Sequence, residues 1–371
     1  MNLNDYLNPL DPSLHQGESG EFLRHLRVNA DGIKDGALEE IDLALVGLPV
    51  YFDQSIRSTH APDLIRRELY DLAFDSRHSP TIMDLGNMKK AGSVRETLFG
   101  LSDVLVHLME SGIFVLLLGG DSLLNLAVLR SLPRVSPGEL HYALAEPYLS
   151  LAGYGGFDMI SDERVQLYQI GGQAHYHTQE QKVWTRSFVH ETYRLGKLRD
   201  HLAGAEPYLR GADGFGLSVN VVKNADAPGQ NTGFPNGMYG EDVCQLAGYA
   251  GLADHLKIFS VMDYYPPHDR LQVTARLLAQ SLWYAIEGFR SRISENPYQD
   301  EHFKKFLVNL EDHSLVFYKS ERTSRWWMEV PAADSAGKTV IPCHYADYQT
   351  AARHEIPSRW LRAYQQVHRG G

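Results

Sequence analysis

Short, continuous runs of apolar residues alternate with longer amphipathic segments through most of the chain. These runs predict strands at Ile41–Leu48, Thr81–Leu85, Ile113–Leu118, Leu140–Ala145, Val165–Ile170, Phe215–Val222 and Ile258–Met262. Continuous apolar runs, rather than strict alternation, are typical of strands buried on both faces of a parallel sheet. The segments between them predict helices at Arg95–Met109, Leu123–Ser131, Val189–Ala203, Glu241–Ala250 and Val273–Phe289. This order predicts an α/β fold with a mostly parallel, doubly wound sheet.

The two ends of the chain depart from this pattern. Residues 1–40 are polar and turn-rich and are predicted to form an N-terminal arm, which leaves 41–310 as the α/β domain. Residues 311–371 are predicted to form an appendage packed on that domain. Within it, Ser314–Val330 predicts one or two strands, and Tyr345–Val367 predicts a helical tail.

Two adjacent aromatic residues in the appendage, Trp326 and Trp327, are candidates for an interface. Large exposed aromatic side chains are unfavourable in water, so something is expected to cover them. The cover is either the body of the same chain, a second copy or a different protein. The content of Trp, Tyr and Arg in the appendage favours a contact surface, with self-association or a protein partner.

Composition restricts the classes of function. The 371 residues are 43% hydrophobic, which is sufficient for a large core, and the formal net charge is −11. An acidic chain without a basic patch is a poor binder of nucleic acid. No apolar stretch is long enough to span a bilayer, and the N-terminus lacks the pattern of a signal peptide. Together with only two cysteines, Cys244 and Cys343, this predicts a cytoplasmic protein without direct membrane insertion.

Candidate chemistry is expected where the strands end, because open α/β sheets bind ligands at the carboxyl ends of their strands. Polar residues follow several of the predicted strands. These residues are Asp121 and Ser122 after Gly119-Gly120, Glu146 after Ala145, Asn224 and Asp226 after Val222, and Asp263 after Met262.

Four stretches of the sequence carry a family resemblance. They are GLPVYFDQSIR with APDLIRREL, LLLGGDSLLNLAVL, SVNVVKNADAPG with PNGMYGEDVCQLAGYAG, and VMDYYPPHDRLQVTARLLAQSLW. In this order they resemble the ureohydrolase superfamily, which holds arginase, agmatinase and formimidoylglutamase, and the last two resemble the formimidoylglutamase branch most. The resemblance spans Leu43 to Phe289. It implies a three-layer α/β/α sandwich around a mostly parallel eight-stranded sheet.

The same resemblance implies a binuclear manganese centre with a bridging hydroxide as nucleophile. Its ligands in the family are a His after Gly-Gly-Asp, an Asp-x-His-x-Asp and an Asp-x-Asp. In this chain the corresponding positions are Ser122, then Ala145, Pro147 and Leu149, then Asn220 and Val222. Four of these six residues have no side-chain donor atom, and the other two are neutral. We therefore expect no manganese, no other cofactor and no catalytic residue of the family type.

A residual pocket remains at the strand ends, with Asp121, Asp226 and Asp263 as its expected acidic residues. Each is also compatible with a purely structural role as a cap or turn residue. His175 and His177 are compatible with either a surface turn or a pair of metal ligands. The ligand of such a pocket is open at this point.

Three functions are compatible with these observations. The first is a catalytically inactive, ureohydrolase-like protein that binds a protein or a small molecule. The second is a hydrolase of a C–N bond in a guanidino or formimidoyl substrate, with an atypical or relocated site. The third is a structural subunit of a larger assembly. Fold-level likeness does not choose among them, because function depends on the site.

Overall fold

The computed structural model describes most of the chain. The described residues are 1–14, 20–52, 60–75, 77, 79–151, 162, 164–179, 182–183, 189–310, 314–331 and 337–367.

A ten-stranded, mostly parallel sheet forms the centre of the described structure. Its strands are β1 (Leu7–Asn8), β2 (Leu26–Val28), β3 (Leu43–Gly47), β4 (Ile82–Met88), β5 (Phe114–Leu118), β6 (Leu140–Ala145), β7 (Val165–Gly172), β8 (Val189–Arg194), β9 (Gly214–Ser218) and β10 (Ile258–Met262). Their spatial order is β1-β4-β3-β5-β10-β9-β6-β7-β8, with β2 also paired to β4. Only β1 runs antiparallel to its neighbour among these pairs. The predicted α/β class is confirmed.

Helices cover both faces of this sheet. They are α1 (Ala61–Tyr70), α2 (Val94–Glu110), α3 (Asn125–Val135), α4 (Leu195–Asp200), α5 (Glu206–Arg210), α6 (Gly240–Leu252) and α7 (Val273–Arg290). Two further helices, α8 (Tyr345–Ala352) and α9 (Ser358–Val367), pack in the C-terminal appendage. One apolar core joins the sheet to α1, α6 and α7, and a second joins its other face to α2 and α3. Successive residues of β3 alternate between the two cores, which is why its whole run is apolar.

None of the helices within the described ranges combines the length and the apolar character that a membrane crossing requires.

Two predicted elements are wrong in part. Val189–Ala203 was predicted as one helix, but Val189–Arg194 is strand β8, and α4 begins only at Leu195. Because β8 is the last strand of the sheet and pairs on one side only, it carries polar residues that buried strands avoid. The predicted strand Phe215–Val222 ends at Ser218, where a 3-10 turn follows over Val219–Val221.

The two ends of the chain are more structured than their composition predicts. The N-terminal residues contribute β1 and β2 to the main sheet. The appendage is a four-stranded antiparallel sheet of β11 (Phe303–Asn309), β12 (Ser314–Ser320), β13 (Trp326–Pro331) and β14 (Lys338–Cys343), followed by α8 and α9. Ser314–Val330 holds two strands, β12 and β13, as predicted, but β11 and β14 on either side of it were not predicted, and the sheet starts before residue 311.

Trp326 and Trp327 are buried, with 8% and 7% of their surface exposed. The Trp326 ring stacks on Tyr348 at 5.0 Å between centroids, and the guanidinium of Arg210 lies 4.2 Å from the Trp327 ring. Arg210 also donates through Nη2 to the carbonyl oxygens of Trp326 (2.9 Å) and Cys343 (3.1 Å). Of the three alternatives for their cover, the structure shows the chain's own residues.

Candidate functional site

The carboxyl ends of four neighbouring strands bring the predicted site residues together. β5, β10, β9 and β6 are consecutive in the sheet and all parallel, so the residues that follow them lie at the same edge. Ser122, Asp263, Asn220 and Glu146 are these residues. The first three were predicted as site residues.

Asp263 is the centre of this group. It has a left-handed backbone, with φ of 65°, a conformation that aspartate tolerates better than most residues. Its Oδ1 accepts a hydrogen bond from the Ser122 backbone N–H (2.8 Å). Its Oδ2 accepts from the Ser218 hydroxyl and from Asn220 Nδ2 (3.4 Å). The carboxylate is therefore held by the chain's own donors on both oxygens.

Asp121 lies close enough to Asp263 to affect its ionisation. Burial raises the pKa of Asp263 to about 6, and the charge of Asp121 adds to this effect. The hydrogen bonds from Ser218 and Ser122 act in the opposite direction, because they favour the charged form. Asp121 itself accepts from the Leu123 N–H (2.9 Å), which begins the 3-10 turn after β5. Two of the three predicted acids are thus adjacent.

Asp226, the third predicted acid, has different partners. It pairs with Lys223 at 3.2 Å and accepts from the backbone N–H of Gly240, also at 3.2 Å, at the start of α6. A carboxylate there is favoured by the positive end of the helix dipole. In the described contacts its role is to fix the loop before α6.

Glu146 is a polar residue at a strand end that the sequence analysis did not include among the expected acids of the pocket. It follows β6 directly, is 2% exposed, and its Oε2 accepts from the Ser150 hydroxyl at 2.8 Å. Burial, together with the charge of Asp263, raises the pKa of Glu146 to about 8. The carboxyl is therefore mostly protonated at neutral pH. Its signal in the sequence is a single acid directly after an apolar strand.

This raised pKa predicts a pH-dependent effect of Glu146→Gln. Glutamine has nearly the same shape as a protonated glutamic acid and does not titrate. The stabilisation from protonated Glu146 is complete below its usual pKa of about 4.5 and is lost as pH rises through about 8. We therefore expect equal melting temperatures for variant and wild type at about pH 4, and a higher one for the variant at about pH 8.5. Thermal unfolding at both pH values measures this, with the exposed Glu355→Gln as control. An equal difference in melting temperature between variant and wild type at both pH values would contradict this prediction.

The positions that correspond to family metal ligands are filled by other contacts. Ala145, Leu149 and Val222 are fully buried apolar residues. The carbonyl oxygen of Pro147 accepts from the Gln173 N–H at 2.8 Å, and the Asn220 Oδ1 accepts from the Thr232 hydroxyl at 2.7 Å. None of these side chains supplies an anionic or imidazole donor.

The two histidines after β7 do not form a metal pair with each other. His175 is exposed and contacts the Tyr176 ring, whereas His177 Nε2 lies 3.3 Å from the carbonyl oxygen of Pro147. Burial lowers the pKa of His177. Across the residues that the structure describes, no three His, Cys, Asp or Glu side chains are grouped so that they could hold a metal ion.

Comparison with solved structures shows the fold plainly. A manganese-containing formiminoglutamase of Trypanosoma cruzi superposes with a TM-score of 0.63 at 16% identity, covering 71% of this chain and 96% of that one. Formimidoylglutamase of Bacillus subtilis superposes with a TM-score of 0.59 at 16% identity, covering 72% of this chain and 97% of that one. Agmatine ureohydrolase of Thermoplasma volcanium superposes with a TM-score of 0.55 at 17% identity, covering 68% of this chain and 92% of that one. The chain shares the arginase-like fold of these structures, as the resemblance implied.

Comparisons of the sequence with protein families and with curated proteins find no match.

Proposed function

We propose that this chain is a catalytically inactive, ureohydrolase-like protein that acts by binding a partner or as an assembly subunit. One observation carries the proposal. Asp263 directs its carboxylate to Ser122, Ser218 and Asn220, and two of these occupy positions where the family has metal ligands. Polar groups that would face a metal are hydrogen-bonded to one another.

The residues present do not fit two manganese ions. Manganese favours carboxylate oxygens and imidazole nitrogens. Ala145, Pro147 and Leu149 after β6 have no side-chain donor atom, and Val222 has none either. The neutral Ser122 and Asn220 cannot balance the charge of a divalent ion. Without such an ion, the hydroxide that attacks the substrate carbon in this chemistry lacks its source.

A binding role is supported by a cavity in the appendage. It has a volume of about 680 Å³ and lies between the end of β13, the start of β14 and α9. Its walls include Pro331, Ile356, Trp360, Leu361 and Tyr364. Cavities of this size and apolar character are typical of binding sites. A cytoplasmic location is part of this proposal.

The alternative is a hydrolase with an atypical site, similar in substrate to the formimidoylglutamases. One observation favours it. Glu146 and Asp263 lie at the same sheet edge with pKa values of about 8 and about 6. A protonated and an ionised carboxyl close together can serve as general acid and general base.

Hydrolysis assays separate the two functions. The full chain at micromolar concentration, with added manganese, is incubated with arginine, agmatine or formimidoylglutamate, and urea or formamide is measured. We expect no release above a control without protein. An active enzyme of the same fold in the same buffer confirms the assay. Turnover that is lost in Asp263→Ala but kept in Asp226→Ala would overturn the proposal in favour of the alternative.

A further inference from the structure

Two histidines meet where the appendage contacts the α/β body. His201 follows α4 in the body, and His344 directly precedes α8 in the appendage. His201 Nε2 lies 3.2 Å from His344 Nδ1, and the ring centroids are 4.4 Å apart. This contact joins parts of the chain that are 143 residues apart in sequence.

The hydrogen bonds define the protonation state of His344. Its Nδ1 accepts from the backbone N–H of Ala346 (3.0 Å) and so caps the N-terminus of α8. A nitrogen that accepts carries no proton, so the proton in the contact with His201 belongs to His201 Nε2. Protonation of His344 at Nδ1 therefore removes both accepted hydrogen bonds. It also places a positive charge at the positive end of a helix, which is unfavourable.

The charged groups around His344 act in both directions. Asp347 of α8 accepts from the His344 backbone N–H at 2.9 Å, and with Glu206 of α5 it favours the protonated ring. Arg210 of α5 and the His201 ring oppose it. Half-burial of the ring is the largest effect, and the pKa of His344 lies below its usual range. The docked arrangement therefore favours the neutral ring.

Other neighbours do not change this balance. The hydroxyl of Tyr193, in β8, donates to the carbonyl oxygen of His201 at 2.8 Å. Burial raises the pKa of Tyr193 and that of the Cys343 thiol, so both stay neutral near pH 7.

We infer that the His201–His344 contact is a pH-sensitive latch, in which protonation of His344 releases the cap of α8 and opens the contact between the start of α8 and the body at His201. The inference does not depend on the proposed function. The direction of the pH effect follows from proton linkage. When the His201–His344 contact is open, His344 is free to bind a proton at its ordinary pKa of about 6.5. The open fraction therefore increases as pH falls through that value. The increase in the open fraction levels off below the pKa that His344 has in the closed contact.

Amide hydrogen exchange of the full chain in EDTA tests the latch. Rates at Ala346 and Asp347, corrected for the intrinsic pH dependence of exchange, are compared from about pH 7.5 to about pH 5. We expect the opening equilibrium to rise by up to about tenfold per pH unit, the limit for one linked proton. Amides of β10, in the middle of the main sheet, report on global unfolding and should not change. No pH dependence at Ala346 would overturn the inference.

Variants test whether the pH dependence of exchange arises from the His201–His344 contact. Asn caps helices without titrating, so His344→Asn should keep α8 folded and lose the pH dependence. His255→Asn, at an exposed site away from the contact, should keep it. If His344→Asn does not fold, His201→Ala provides the test. Without the second ring, the NMR-titrated pKa of His344 should rise towards its usual value. Unchanged pH dependence in His344→Asn, or an unchanged pKa in His201→Ala, would overturn the latch.

Discussion

Replacing Arg66 by methionine should lower the free energy of unfolding by about 3–5 kcal/mol, the usual cost of removing one partner of a buried ion pair. Arg66 in α1 and Asp84 in β4 are both fully buried. Arg66 donates to both oxygens of Asp84, through Nε at 2.7 Å and Nη2 at 3.0 Å. The Tyr70 hydroxyl also donates to Asp84. Removing the guanidinium leaves a carboxylate without its counter-charge in the core.

Urea unfolding of Arg66→Met and wild type at neutral pH measures the loss. The matched control is Arg27→Met, since Arg27 pairs with Glu40 at 3.0 Å but both side chains are at least half exposed. Exposed pairs contribute about 0–1 kcal/mol, so this control should lie near wild type. A loss in Arg66→Met as small as in the control would show that the buried pair does not fix α1 to β4.

This ion pair also explains part of the sequence resemblance. Arg66 lies in the stretch APDLIRREL, which is one of the motifs similar to the ureohydrolases. In the structure its side chain connects a helix to the sheet and does not reach the strand-end site. A motif of this kind specifies the fold and carries no information on catalysis.

The strands that sequence predicts well are those buried on both faces. β5 is an unbroken apolar run, and β10 is interrupted only by the buried Ser260, because helices cover both strands from both sides. β8 and β11 lie at sheet edges, where exposed positions accept polar residues such as Lys304 and Lys305. Their patterns are ambiguous without knowledge of the neighbouring strand. β1 and β2 have only two and three residues, too few for a periodic signal.

The site could be predicted only as far as strand order places it. Ser122 and Asp263 follow predicted strands, and Asn220 lies near the end of the predicted strand Phe215–Val222, so their convergence at one edge was expected. The hydrogen bonds among them depend on the left-handed backbone of Asp263 and on the turn after Ser218, which no local pattern reveals. Glu146 was missed because its raised pKa results from burial by residues distant in sequence.

The second prediction with a large expected effect concerns manganese binding. An intact binuclear centre binds its ions through several charged ligands, whereas the corresponding positions here offer only the neutral donors of Ser122 and Asn220. Asp121, Asp263 and Glu146 are acids nearby, but Asp263 already accepts hydrogen bonds on both oxygens and Glu146 is buried with a raised pKa. We therefore expect no tight manganese site at the carboxyl ends of the strands.

Elemental analysis of the full chain tests this directly. The protein is loaded with excess manganese, dialysed extensively, and measured beside an active enzyme of the same fold that has been stripped and reloaded in the same way. We expect the control to retain its manganese and this chain to retain no stoichiometric amount. Retention of about two equivalents per chain, the content of a two-metal site, would contradict the account, most clearly if Asp263→Ala abolished it.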